Sequence, residues 1–339
     1  MCSSDLRKKN DSCLWHLFEI KDKNFIIQNK DHCFLRKKAN NIFCNIITID
    51  KASIFDLKKI YFEVDINSKD LKLLNKEPID LLIKYIDLRD PHLKRKDIHQ
   101  IEKDYDNEEL RYSVRSILVN IPWVRKIFIL MPNEKVRYFK EYNLIKEKIV
   151  YVKDKDFLGY DCSNSYGFQF RYWKMKQFGI SDNVILMDDD YFIGDKLEKK
   201  DFFYIHKGKI MPSIVTSNFL KIEQELVQKN LKLYEKKAKT NKEEQNDDCF
   251  NYSKYLTFSF ILNLFNESLN EGIFIPQFTH NAIPVNLRDI KEIYDLVYNS
   301  SHKFATLDSL YRNIESLQFQ ILLLSYTFIK YHRKIRNIP

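Results

Sequence analysis

Three consecutive carboxylates, Asp188, Asp189 and Asp190, follow the apolar run Val184-Ile185-Leu186-Met187. Four apolar residues without polar alternation suit a strand covered on both faces of an α/β sheet. Ligands of such sheets bind at the carboxyl ends of the strands, where the three acids fall. Adjacent carboxylates repel one another unless a cation or hydrogen-bond donors hold them. Hard oxygen ligands suit Mg²⁺ or Mn²⁺, which commonly bridge a protein carboxylate to a substrate phosphate. Asp188, Asp189 and Asp190 are therefore candidate metal ligands; the plainer alternative is a solvated acidic turn.

Other segments carry charges at chemically useful spacings. A strand pattern over Ile79–Ile86 ends in Asp87 and Asp90, which add carboxylates. The stretch from Asp106 opens a helix with acids, as the helix dipole favours, and then sets Arg111 and Arg115 one turn apart on one face. Such a pair can hold a phosphate through charge-assisted hydrogen bonds; alternatively it bridges to Asp106 or Glu108.

The elements that must position these residues follow from periodicity. Residues 1–75 read as an accessory region of short strands. From residue 76 to 216, strand and helix alternate: Ile79–Ile86, a helix over Asn107–Asn120 with Leu110, Val114, Ile117, Leu118 and Ile121 inward, strands at Val124–Met131 and Ile149–Val152, a helix over Ser165–Phe178, and the strand before the acids. This repetition predicts an α/β core with a mainly parallel sheet and flanking helices. Residues 217–250 read as a charged helical insertion running from Leu220. Residues 251–339 read as a helical region completing the site, with helices at Leu287–Tyr298 and Ile314–Tyr331. Trp123 and Trp173 read as core anchors.

The chain has 339 residues, 44 % of them hydrophobic, and a net charge of +9. Its Lys and Arg are interspersed with acids and accompany no nucleic-acid motif, so nucleic acid is excluded as the main partner. A positive balance suits phosphates equally well. The cysteines show no CxxC spacing, which favours a reducing compartment. The stretch Phe319–Ile329 is too short to span a bilayer, so no transmembrane segment is expected.

Together, these segments resemble the Stealth family of sugar-phosphate transferases, which includes capsular polysaccharide phosphotransferases and the N-acetylglucosamine-1-phosphotransferase catalytic subunit. The family's first block, roughly I-D-x-V-x-T-W-V-D-G-x-D, is similar to Ile79-Asp80-Leu81-Leu82-Ile83-Lys84-Tyr85-Ile86-Asp87-Leu88-Arg89-Asp90. The second block is matched far more closely, by Asp106–Ser116 followed by Pro122–Ile129. N-D-D-x-x-F-G is similar to Asp188–Gly194, with Asp188 in place of the usual Asn. His280 followed by Pro284, and Arg312, Glu315 and Gln318-Phe319, resemble the third block. Two departures stand out. The helix from Asn164 keeps Asn-Ser but not the family's Glu and His, and the sequence reaches Pro339 where a fourth block is expected.

The resemblance implies a nucleotide-sugar transferase-like fold and transfer of a sugar-1-phosphate from a nucleotide-sugar to an acceptor sugar hydroxyl, releasing nucleoside monophosphate. It implies His280 as general base, Arg312 as the group neutralising the phosphoryl oxygens, and Asp190 as catalytic. Asp87, Arg111, Arg115, Asn164, Ser165 and Gln318 would bind substrate, although Gln318 equally suits an inter-helix contact. Mg²⁺ or Mn²⁺ would sit on Asp188, Asp189 and Asp190. The donor would be UDP-N-acetylhexosamine-like and the acceptor a glycan or polysaccharide. Bacterial members would work in the cytoplasm, peripheral to the membrane, and eukaryotic ones in the Golgi lumen. Two alternatives stand beside this reading: a metal-dependent glycosyltransferase releasing nucleoside diphosphate, and a non-catalytic sugar-nucleotide-binding relative.

Overall fold

The computed structural model describes residues 15–20, 24–29, 34–38, 41–45, 68–85, 109–132, 146–160, 164–214, 216, 219–240, 247–265, 272–278, 281–310 and 313–332. In the accessory region, β1 (Trp15–Ile20), β2 (Asn24–Asn29), β3 (Phe34–Lys38) and β4 (Asn41–Asn45) form a four-stranded antiparallel meander. These are the short strands that the alternating apolar runs suggest.

After helix α1 (Ser68–Lys76) the α/β pattern begins. Strand β5 (Ile79–Lys84) leads to helix α2 (Glu109–Asn120), then to β6 (Ile127–Met131) and β7 (Ile149–Lys153). Two short helices, α3 (Asp154–Leu158) and α4 (Ser165–Gln169), and a 3₁₀ segment at Tyr172–Phe178 lead to β8 (Asn183–Asp188). The central sheet has five strands in the order β13-β8-β5-β6-β7, where β13 is Ile283–Asn286. Strands β8, β5, β6 and β7 are parallel, and β13 joins β8 antiparallel, Ile283 opposite Leu186. The expected α/β class with a mainly parallel sheet is what the chain adopts.

Strand alternation divides the core in two. Leu81, Ile83, Ile127, Ile129, Ile185 and Met187 pack against Leu110, Val114 and Ile117 of α2. Leu82, Phe128, Leu130, Val184 and Leu186 face the opposite layer, with Phe168, Phe170 and Tyr172. Burial on both sides explains why these strands read as unbroken apolar runs. Helix α2 keeps most of the expected face: Leu110, Val114 and Ile117 are essentially inaccessible, Leu118 is partly buried, and Ile121 is buried just beyond the helix end.

At the amino ends of the strands, the fully buried Asp80 ties three segments together. Its carboxylate accepts from Arg125 Nε at 2.9 Å, Lys126 N at 3.0 Å and Ser181 N at 2.6 Å. Its own N–H donates to Ser181 Oγ at 3.0 Å.

The remaining elements are hairpin β9 (Phe203–His206) and β10 (Lys209–Pro212), strand β11 (Phe219–Ile222), helices α5 (Gln224–Thr240) and α6 (Asp247–Phe265), strand β12 (Ile273–Pro276), and helices α7 (Leu287–Tyr298) and α8 (Phe319–Thr327). Three expectations need correction. The charged helix starts at Gln224, because Phe219–Ile222 pairs antiparallel with β12. The helix expected over Ser165–Phe178 breaks at Phe170–Arg171, where the Arg171 guanidinium turns back to Gly167 O and across to Leu307 O. The helix expected from Ile314 begins at Phe319 and continues into a π-helical turn at Phe328–His332. Residues 316–318 are held by distant partners instead, with Ser316 Oγ donating to Ala305 O and Gln318 N to Thr257 Oγ1.

Trp123 and Trp173 are partly buried and packed against the two cores, as expected of anchors. Trp123 Nε1 donates to Leu197 O at 2.7 Å. Among the described residues, no helix is long and apolar enough to cross a membrane.

Candidate active site

The topology itself locates a crevice. From β5 the chain winds through β6 to β7 on one side, and β8 then lies on the other side of β5. Ligands of open α/β sheets bind at such a switch point, outside the carboxyl ends of the strands. The final residues of the two flanking strands are Lys84 and Asp188, which are register partners. Asp189 and Asp190 form the turn that follows β8.

Charge distribution at this edge is uneven. The Asp189 carboxyl is pushed up to about 7, first by burial and then by the negative charge of Asp190, Asp188 and Glu109; its own backbone N–H opposes the rise. Glu109 is the first residue of α2, and its charge is among those that raise the Asp189 carboxyl. On the layer that faces Phe168 and Tyr172 stand Lys84 and Asp154. Lys84 Nζ donates to Asp154 Oδ2 at 2.9 Å and lies 4.8 Å from the Phe168 ring centroid. Burial raises the Asp154 carboxyl, and Lys84 partly offsets this. The buried Tyr172 phenol is pushed far up by burial and by the charges of Asp188 and Asp154.

Asn164, expected to bind substrate, is fully buried and spends its side chain on backbone. Its Oδ1 accepts from Tyr166 N, capping α4, while Nδ2 donates to Thr306 O at 3.3 Å and Ser309 O at 3.2 Å. Arg171 reinforces the same segment through Leu307 O at 2.6 Å and Asp308 Oδ1 at 3.2 Å. That segment, Phe304–Asp308, is a π-helical turn. Replacing Asn164 by Ala should cost about 1–3 kcal/mol by orphaning these carbonyls. Hydrogen exchange should then accelerate over residues 304–310; unchanged protection there would show that the clamp carries no stability.

Gln318 is likewise buried, and its Nε2 donates to Phe250 O at 2.8 Å, the inter-helix alternative. Ser165 opens α4. Arg111 and Arg115 lie on α2, with the Arg115 guanidinium 5.6 Å from the Tyr112 ring. His280, Arg312 and Asp87 lie outside the described residues, as do Asp106 and Glu108. The structure therefore brings Asp188, Asp189 and Asp190 to one strand end and turns Asn164 and Gln318 inward to backbone. Sequence reasoning passed over Lys84, Asp154, Tyr172 and Glu109. For Lys84 a signal existed: a charged residue closes an apolar strand on the same face as Leu82.

Among the described residues, no group of three or more His, Cys, Asp or Glu could hold a metal ion by itself. The donor set still fits a hard cation, because Mg²⁺ commonly takes one or two protein carboxylates and completes its shell with phosphates and water. The Asp189 carboxyl is raised first by burial and then by like charges, and a cation would relieve the second of these.

Residues 103–211 match the Stealth protein CR2, conserved region 2. This span covers the α2 segment and the acid run, about a third of the chain. A capsular polysaccharide phosphotransferase of Actinobacillus suis is 30 % identical over 148 residues, covering 38 % of this chain and 39 % of that protein. One from Haemophilus influenzae is 26 % identical over 212 residues, 57 % of this chain and 55 % of the relative. The human N-acetylglucosamine-1-phosphotransferase subunits alpha/beta are 31 % identical over 108 residues, 31 % of this chain and 8 % of that protein. The chain thus spans about two fifths of the first relative and over half of the second.

Proposed function

We propose that this chain is a phosphotransferase of polysaccharide or glycan biosynthesis, moving a sugar-1-phosphate from a nucleotide-sugar to an acceptor sugar hydroxyl. The observation that carries the reading is the placement of the matched region: its acid run ends β8 at the switch point, where Asp188 is the register partner of Lys84 at the end of β5. The names of the similar proteins, phosphotransferases of capsular polysaccharide and of N-acetylglucosamine-1-phosphate, support the reaction class.

In this reaction the acceptor oxygen attacks the sugar-bearing phosphorus of the donor. A new P–O bond forms, the bridging bond to the nucleoside phosphate breaks, and nucleoside monophosphate leaves. The hydroxyl proton passes to a base, which the family resemblance assigns to His280. Such chemistry asks for positioning and charge neutralisation more than for covalent work. Asp189 and Asp190 would hold Mg²⁺ or Mn²⁺, with Asp188 beside them. When bound, the cation neutralises phosphate charge. Arg312 would face the transferred phosphoryl oxygens, and Asp87, Arg111 and Arg115 would orient the donor. Asn164 and Gln318 support the site through the backbone they hold.

Incubation with UDP-N-acetylglucosamine, Mg²⁺ or Mn²⁺ and a panel of sugar acceptors tests this reading. UMP release that disappears in Asp190→Ala and His280→Ala is the expected result. UDP in place of UMP would make the chain a glycosyltransferase, and metal-dependent donor binding with neither product would make it a binding relative.

A further inference from the structure

The crevice between β5 and β8 contains a cation that the reaction, as described, does not use. Lys84 ends β5 as Asp188 ends β8, and the two are register partners on neighbouring parallel strands. Neighbouring strands lie about 4.8 Å apart, and register partners in a parallel pair project from the same face of the sheet. That shared face is the one carrying Leu82, Val184 and Leu186. On it the Lys84 ammonium is held at 2.9 Å from Asp154 Oδ2, with side-chain exposures of 16 % and 14 % for the pair. It is further enclosed by the Phe168 ring at 4.8 Å. Asp154 itself opens α3, immediately after β7. Its Oδ1 is buried without a hydrogen-bond partner. A long flexible ammonium is thus fixed from one side by the first acid of α3, just past the end of β7.

We propose that Lys84 is a positioning residue of the transfer site. Its ammonium, anchored on Asp154, neutralises Asp188 and so sets the charge that Asp189 and Asp190 present to the donor phosphates. The inference rests on the transferase reading, which it deepens. The two register partners carry opposite formal charges, Lys84 at the end of one strand and Asp188 at the end of the other. Neutral partners would need no such balance, whereas a lone extra carboxylate here would repel both its neighbours and the substrate.

A double-mutant cycle on Lys84→Met and Asp188→Asn tests the coupling, read as kcat and donor KM for nucleoside monophosphate release. Lys84→Met should lower kcat by roughly tenfold while donor KM moves less than about twofold. Adding Asp188→Asn should restore most of that loss, giving a coupling of roughly fivefold or more between the two changes. Lys84→Arg, which keeps the charge, should stay close to wild type.

Additive effects on kcat, or a coupling seen in thermal unfolding but absent from kcat, would overturn the positioning role. If Lys84→Met fails to fold because Asp154 is left buried and unpaired, the same cycle is run in the Asp154→Asn background. A wild-type chain that releases no nucleoside monophosphate would sink the transferase reading instead. The thermal cycle would then decide separately whether Lys84 and Asp188 are paired.

Discussion

Asp189→Asn is expected to abolish turnover, by roughly a thousandfold or more, and yet to make the metal-free protein more stable above pH 7. Burial and the charges of Asp190, Asp188 and Glu109 raise this carboxyl to about 7 from its ordinary 3.8. In the unfolded chain it ionises near the ordinary value. Between the two values the folded state holds a proton that the unfolded state has released, so stability falls as pH rises through this window. The contribution is fully present below about pH 4 and gone above about pH 7. An amide never ionises and does not suffer the loss. Denaturant unfolding in EDTA should therefore find the variant more stable at pH 8 by on the order of 2–4 kcal/mol, and equal to wild type near pH 4. Added Mg²⁺ or Mn²⁺ should narrow the gap by stabilising only the wild type. An unchanged or lower stability at pH 8 would mean that the acid run is relaxed by other partners and is not waiting for a cation.

The second large effect lies at the opposite end of the sheet. Asp80→Ala should destabilise the protein by about 3–5 kcal/mol, measured as a lower denaturant midpoint with an unchanged m-value. The substitution leaves Ser181 N and Lys126 N without their acceptor and strips Arg125 of its carboxylate. Asp80→Asn should cost less, because an amide oxygen still accepts from one of these donors. A loss below about 1 kcal/mol in the alanine variant would show that water replaces the carboxylate, against its complete burial.

The two substitutions separate what local pattern reveals from what it hides. The α/β core was legible because β5, β6 and β8 are buried on both faces and so appear as apolar runs, and because α2 repeats its apolar residues at helical spacing. The Asp run was legible because it ends such a strand. The inward roles of Asn164 and Gln318 were not, since each is defined by carbonyls far away in sequence: Thr306 and Ser309 for one, Phe250 for the other. The same limit applies to the start of α8. Nothing local to Ile314–Gln318 announces that Thr257 and Ala305 will capture its backbone and hydroxyl groups. Lys84 stood in plain view, but its partner Asp154 opens α3, 70 residues away.

The antiparallel edge strand has a consequence for the order of events during synthesis. Because β13 runs against β8, with Ile283 opposite Leu186, the chain enters the sheet at the acid end, and Tyr191, just past the acids, takes a hydrogen bond from the backbone of Ala282. The four parallel strands and the acid run are all made by residue 190, whereas this last strand emerges some ninety residues later. Closing so long a loop is among the slower steps of folding. A nascent chain can therefore assemble its sheet well before its site is complete, and activity should appear later than structure.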